Sequence, residues 1–210
     1  MRAPAYLVAA RTAAALIAQP AVTSRWTDPS ALTGFTVGGL AAHLAGQVFS
    51  VSRLLEADPA TEELVPLLEH YARAAWVGAD LDADVNVGIR SSGEQAAAGG
   101  PGALVASVGA AIDSLESGLA SLDPEFRVRP PAGPWSLTLD DFLVTRMMEI
   151  VVHSDDLATS VDLPTPPFPG EVEDPVLGLL VSLAVRRHGS LPLVRALSRA
   201  ERAPATIAAF

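Results

Sequence analysis

No segment of this 210-residue chain sustains an alternation of apolar and polar side chains at every second position, so no run reads as a half-buried strand. Apolar residues recur instead three and four apart, in blocks separated by proline- and glycine-containing segments. That spacing lays an apolar stripe along one side of a helix and leaves the stripe in need of a partner. Alanine accounts for 37 residues and aromatics for only 5%, a balance that favours closely approaching helices over a sheet sandwich. The pattern predicts an all-α architecture, a four-helix bundle followed by a short helical C-terminal extension.

The punctuation divides the chain further. A first helix runs from Ala5 to Gln19 and is stopped by Pro20. Thr36 is a good N-cap for a second, about Val37 to Glu56, with Leu40, Leu44, Val48 (or Gln47), Val51 and Leu55 in line. Thr61 opens a shorter helix through Trp76, and the Gly-, Asp- and Ser-rich stretch from Gly78 to Gly102 reads as a long loop. Helical spacing returns from Leu104 to Leu122. Thr138 with Asp141 three residues later resembles a capping box for a helix from Leu139 to Ser160. A Pro-rich linker, Leu163 to Gly170, leads to shorter helices near Pro175–Arg187 and Leu191–Arg199. The expected division is a bundle over residues 1–160 and an extension over 161–210.

Charge and composition exclude several functions. All 14 cationic residues are arginine, against 24 acids, for a net charge of −10; a duplex-binding protein needs a basic face, so nucleic acid is not an expected partner. The chain has no cysteine, which removes disulfides, Cys-based zinc sites and a cysteine nucleophile together. Any thiol chemistry has to use a thiol brought from outside. Arg11 and Thr12 interrupt the apolar N-terminal run, and the stretch from Pro175 to Val185 is short of the ~20 residues of a membrane span. The expectation is a cytoplasmic protein without a membrane partner, monomeric or homodimeric.

Four histidines are present, His43, His70, His153 and His188. His43 is flanked by Leu40 and Leu44 and should face the bundle interior. On the helix from Leu139, Glu149 and His153 are four apart and so share one face; Arg146 and Asp156 extend the same polar line. Leu143, Val144, Met147, Met148, Ile150, Val151, Val152 and Leu157 cover the other sides, which marks the helix as central and the polar line as facing something. His43, Glu149 and His153 would give a divalent metal three ligands and leave one position open, as in catalytic zinc sites. The same residues also fit a solvated helix face and a hydrogen-bonded core histidine. Asp80, Asp82 and Asp84 begin like a calcium loop, but Val85 stands where glycine is needed and Ser91 where the bidentate glutamate belongs. No phosphate-binding glycine loop follows a strand, and no G-x-S-x-G occurs. Arg186, Arg187, Arg195, Arg199 and Arg202 gather near the C-terminus, where helix-end and surface pairing accounts for them.

The stretch from Leu32 through Thr36, His43 and Leu44 resembles the first signature of the mycothiol-dependent maleylpyruvate isomerase family, which is part of the DinB-like metal-binding bundles. Arg146-Met-Met-Glu149-Ile-Val-Val-His153-Ser-Asp-Asp156 resembles its second signature, E-x-x-x-H-x-x-D, and the tail from Arg187 is also similar. The resemblance implies that His43, Glu149 and His153 ligate a divalent metal, most often zinc. It implies mycothiol, or a similar small thiol, as cosubstrate for cis–trans isomerisation or S-transfer on a small electrophile. From their places on the polar line, Asp156 is expected to hydrogen-bond a ligating imidazole or a helix terminus, and Arg146 to form an internal ion pair or to meet a substrate carboxylate, which makes both candidate catalytic or supporting residues. The family's isomerases carry a further C-terminal domain that supplies an arginine, whereas about 50 residues follow the bundle here. A non-catalytic metal-binding protein of stress response, or a purely structural bundle, are the alternatives.

Overall fold

The computed structural model describes residues 2–123 and 125–210. Helix α1 (Ala3–Ile17) is followed by a short α2 (Pro20–Ser24), α3 (Val37–Ser52), α4 (Leu67–Arg73), α5 (Asp84–Ala97) and α6 (Gly100–Gly118). Two-residue strands β1 (Arg127–Val128) and β2 (Leu137–Thr138) pair antiparallel ahead of α7 (Leu139–Ser160), and α8 (Gly170–His188) and α9 (Ser190–Ser198) close the chain. Helices α1, α3, α6 and α7 pack on one another as the bundle. Their inward faces bring together Tyr6, Leu40, Leu44, Leu115, Phe142, Leu143 and Met147, all fully buried. The all-α expectation holds, and the sheet is limited to four residues.

Helix α7 occupies the span its spacing predicts. The Thr138 hydroxyl accepts from the Asp141 N–H at 3.1 Å, so the expected cap is formed. Helix α3 is capped in the same manner, with Thr36 Oγ1 accepting from Gly39 N–H at 2.9 Å. The first helix has the expected length but starts and ends two residues earlier, and Pro20, whose missing N–H costs nothing at a helix start, opens α2. The helix expected from Thr61 to Trp76 is confined to Leu67–Arg73. Pro66 keeps the residues before it extended, and Leu64 bridges in parallel to Ser136 instead.

The largest departure from expectation is α5. The stretch from Gly78 to Gly102, read as a loop because of its glycines and small polar residues, contains a 14-residue helix packed along α3. Its low intrinsic preference is overridden by the closeness of that packing. A side chain on Gly93 would lie 2.8 Å from the Gly39 carbonyl oxygen and from the Phe35 ring, and one on Gly39 would run into the Glu94 carboxylate. With both positions bare, Glu94 reaches the start of α3, where its carboxylate accepts from Thr36 N–H at 2.8 Å and from the Thr36 hydroxyl at 2.9 Å. A negative charge at a helix N-terminus is favoured by the exposed N–H groups there.

The segment Gly100–Ser121, mostly α6, is long and apolar enough by length and composition to cross a membrane, with mean hydropathy 1.3. In the bundle Leu104, Val108, Ile112 and Leu115 face the core, and alanine, glycine and serine fill much of its outer side. Helix α8 starts at Gly170, five residues before expected, with Pro175 in its second turn. Val172, Val176, Leu179 and Leu183 belong to the same apolar core as the bundle helices. Between them, α4 presents His70, buried at 3% exposure, whose Nδ1 accepts from the Trp135 indole N–H at 3.0 Å.

Two outcomes follow from these contacts. Gly93→Ala should lower stability by about 1–3 kcal/mol, the usual cost of forcing atoms into a close contact, read as a shifted urea midpoint with α5 amides exchanging faster; an unshifted midpoint would show that the α3–α5 contact yields freely. Burial, with the charge of Arg146 adding to it, lowers His70 to about 4 from an ordinary value near 6.5. The unfolded chain therefore binds the extra proton first, so this contribution to stability is complete above about pH 6.5 and is lost as pH falls towards 4. Urea midpoints in chelator at neutral and acid pH should lie closer together in His70→Gln, which keeps an acceptor for Trp135 without titrating, than in the unaltered protein; His43, lowered in the same direction, accounts for loss that remains. An unchanged acid loss in that variant would remove His70 as its source.

Candidate metal centre

Helices α3 and α7 run side by side in the bundle, and this brings together residues more than 100 positions apart. His43 projects from the second turn of α3; Glu149 and His153 project from successive turns of α7. Their ligand atoms all lie within 4.8 Å of one another. His153 Nε2 is 3.1 Å from Glu149 Oε2, and His43 Nε2 is 4.0 Å from the same oxygen. The two imidazoles meet edge to face, with ring centroids 4.8 Å apart. Three donors about 2.1 Å from one ion can be at most about 4.2 Å apart, so a shared divalent ion needs only a small further approach. Two imidazoles and a carboxylate, with no cysteine, suit zinc and the neighbouring divalent transition metals. Each of the three is largely but not wholly covered, at 15–21% side-chain exposure, so the site is reachable from outside.

Asp156, one turn beyond His153, accepts from His153 Nδ1–H at 2.9 Å. This contact fixes the ring and turns Nε2 towards Glu149 and His43, the arrangement in which a carboxylate orients a ligating imidazole. Burial alone would lower His153, but its hydrogen bonds to Asp156 and Glu149 raise it to about 9. Burial would likewise raise Glu149, yet the hydrogen bond and charge of His153, with Arg146 and His43 behind it, bring it down to about 2. His43 moves the other way: burial, then the positive charge of His153, lower it to about 4, leaving it neutral with a lone pair to offer. His153 and Glu149, 3.1 Å apart, thus hold one another by opposite charge beside a neutral His43.

Arg146 makes no ion pair among the described residues. Its Nη1–H donates to Gln47 Oε1 at 2.6 Å, its Nε–H to Thr145 Oγ1 at 3.0 Å, and its guanidinium lies 5.2 Å from the Phe142 ring centroid. Gln47 is the member of this site to which sequence reasoning gave only a place in the helix line and no role. It is four residues beyond His43, its amide donates to the His43 carbonyl at 3.0 Å, and its own carbonyl accepts from the Tyr6 hydroxyl at 3.2 Å. The chain Tyr6–Gln47–Arg146 therefore ties α1, α3 and α7 together one turn from the triad. A buried amide four residues from a histidine on an otherwise apolar helix was the available signal. Phe35, just before α3, closes one side of the His43 ring at 5.6 Å between centroids. His70 and His188 lie elsewhere, on α4 and at the end of α8.

The sequence profile of the mycothiol maleylpyruvate isomerase N-terminal domain matches residues 7–158, the span from α1 to the last turn of α7. No curated protein and no solved structure matches the chain.

Asp156→Asn should weaken divalent-metal affinity by about ten- to a hundredfold, measured by competition with a chromophoric chelator. Affinity equal to that of the unaltered protein would separate Asp156 from the metal.

Proposed function

The chain belongs to the family of the mycothiol maleylpyruvate isomerase N-terminal domain, and we propose that it is a metal-dependent enzyme acting with mycothiol, or a similar low-molecular-weight thiol, on a small electrophile. The observation that carries this reading is the triad of His43, Glu149 and His153, three convergent donors with no fourth protein ligand among the described residues. A site that only stabilised the fold would be closed by four ligands; three leave a place for a reactant. Zinc or a similar ion held there would supply a Lewis-acidic position that favours the thiolate form of an incoming thiol.

The chain's own residues do the rest. Asp156 holds the His153 ring in one orientation, and Gln47 and Thr145 hold the Arg146 guanidinium beside the triad. With no carboxylate at ion-pairing distance among the described residues, Arg146 is a fixed positive charge beside the triad that draws an anionic group of thiol or substrate towards the site. Having no cysteine, the protein takes its nucleophile from outside. In an isomerisation the thiolate sulfur bonds to the electron-poor alkene carbon while the C=C pair moves to the neighbouring carbon, whose electron-withdrawing substituent takes up the charge. Rotation about the new single bond and elimination then restore the C=C bond and return the thiolate. In a transfer, the sulfur–carbon bond forms as a leaving group departs with its electron pair. A cytoplasmic location, where small thiols are kept reduced, belongs to the same proposal.

The test is turnover of a panel of activated alkenes and alkylating electrophiles, with and without mycothiol and with and without chelator. Turnover should need both metal and thiol and fall to background in His153→Ala. Turnover that ignores added thiol would reject the mechanism even if the metal proved essential. A complete absence of turnover would favour a metal-binding protein that does not catalyse.

A further inference from the structure

One hydrogen-bonding group on α4 has no use in the fold. The Tyr71 side chain is 2% exposed, and its hydroxyl has no partner among the described residues. A buried hydroxyl left unpaired costs stability, and such groups are rare in finished folds. The ring beneath it is firmly seated. His70 meets it edge to face at 5.0 Å between centroids, and Trp76 and Phe210 pack against it at 6.0 Å each. His70 is in turn bonded to the Trp135 indole, which fixes α4 to the segment leading into β2. The hydroxyl is thus held in one place without a bond to make.

The backbone sets that place beside the metal centre. Leu64 bridges in parallel to Ser136, with Val65 N–H bonded to the Ser136 carbonyl and Ser136 N–H to that of Glu63. The chain therefore enters α4 and α7 side by side and in the same direction. Leu67 and Leu68 share a cleft with Asp140, Asp141 and Val144; Tyr71 comes next on α4, as Arg146 and Glu149 do on α7. The charges of Glu149 and Arg146 both reach the Tyr71 hydroxyl. Arg146 spends Nε–H and Nη1–H on Thr145 and Gln47, and its Nη2 has no partner among the described residues. We propose that Tyr71 donates its hydroxyl hydrogen to a carbonyl or carboxylate oxygen of the electrophile, held between α4 and α7 with Arg146 as the countercharge. This role rests on the thiol chemistry proposed above and supplies a donor that chemistry needs. As the thiolate sulfur bonds to the alkene, the displaced electron pair is taken up by the electron-withdrawing substituent. Its oxygen gains negative charge until elimination returns the pair. A donor fixed in advance at that oxygen, away from bulk water, stabilises the charged stage. Tyr71 keeps its proton throughout, because burial, with the negative charge of Glu149 adding to it, pushes the hydroxyl far above its ordinary value.

Tyr71→Phe removes one oxygen and keeps the ring. In the ligand-free protein its urea midpoint should equal or exceed that of the unaltered protein, because an unpaired hydroxyl is lost, whereas loss of a paired one would lower it. Succinate, a saturated dicarboxylate to which no thiol can add, serves as the binding probe. Calorimetry with zinc present should show that it binds, and Tyr71→Phe should raise its dissociation constant about tenfold or more. With the electrophile panel, kcat/KM in Tyr71→Phe should fall about tenfold further for alkenes activated by a carbonyl or carboxylate than for benzyl chloride, which offers no such oxygen. A lowered midpoint, no binding of succinate, equal succinate affinity in the two proteins, or an equal fall for both kinds of electrophile each overturns the role of Tyr71. A protein that turns nothing over yet binds succinate through Tyr71 rejects the enzymatic reading and keeps the oxygen site, so the two failures are distinguishable.

Discussion

A carboxylate taken into the middle of a helical bundle loses its hydration, and it stays ionised there only if donors and positive charge are brought to it. Glu149 is in that situation, and much of the centre of the molecule is arranged around it. His153 supplies a proton and a charge one turn away on the same helix, at 3.1 Å. Arg146, also on α7, supplies a second charge, but a long side chain on the same helix can turn outward to water. What keeps it in place is Gln47 on α3, at 2.6 Å. The electrostatic need of one residue on α7 is therefore met through α3, and the distance between these two helices becomes a condition for the site. An ion between the donors would meet the same need more completely, since a divalent charge replaces a single proton.

That distance is set partly from outside the four-helix bundle. Helix α5 lies along α3 with Gly93 against the Gly39 carbonyl, and Glu94 takes the Thr36 N–H and hydroxyl at the first turn of α3. Thr36 is thus bonded on both sides, to Glu94 and to Gly39 N–H. His43 leaves α3 two turns later, with Phe35, the residue before Thr36, against its ring. A shift of α5 would move the start of α3, and with it both the imidazole and its aromatic wall.

The parts of this arrangement visible in the sequence are those carried by one helix at a time. The bounds of α7, its Thr138 cap, and the line of Arg146, Glu149, His153 and Asp156 all follow from spacing along a single segment, and so does the inward side of His43. What stayed hidden depends on two segments meeting. Gly93 looks like a helix breaker when taken alone, and only against Gly39 does it permit close contact; read singly, it and the neighbouring small residues turned α5 into a loop. Glu94 is 58 residues from the Thr36 it caps, and Gln47 reads as a polar interruption until Arg146 stands opposite. Pro66 acted in the reverse sense: its local effect on the preceding residues was stronger than the helical spacing that ran through it.

The extension after Ser160 bears on where the charge beside the triad comes from. Five arginines stand in that extension, from Arg186 onward. Helix α8, however, packs against the early part of α7: Leu179, Pro175 and Gly178 line a cleft with Asp140, Asp141 and Val144. The triad begins at Glu149, more than a turn further along. Of the C-terminal arginines, Arg186 donates to the Leu68 carbonyl, Arg199 to that of Ser198, and Arg202 pairs with Glu201. The extension therefore braces the start of the helix that carries Glu149 and His153, and the guanidinium whose field reaches His43, Glu149 and His70 is Arg146. An arginine on the same helix as two of the donors cannot arrive or leave with a moving domain. Its position is fixed by the packing of α3 on α7, the same contact that sets the three donors within reach of one another.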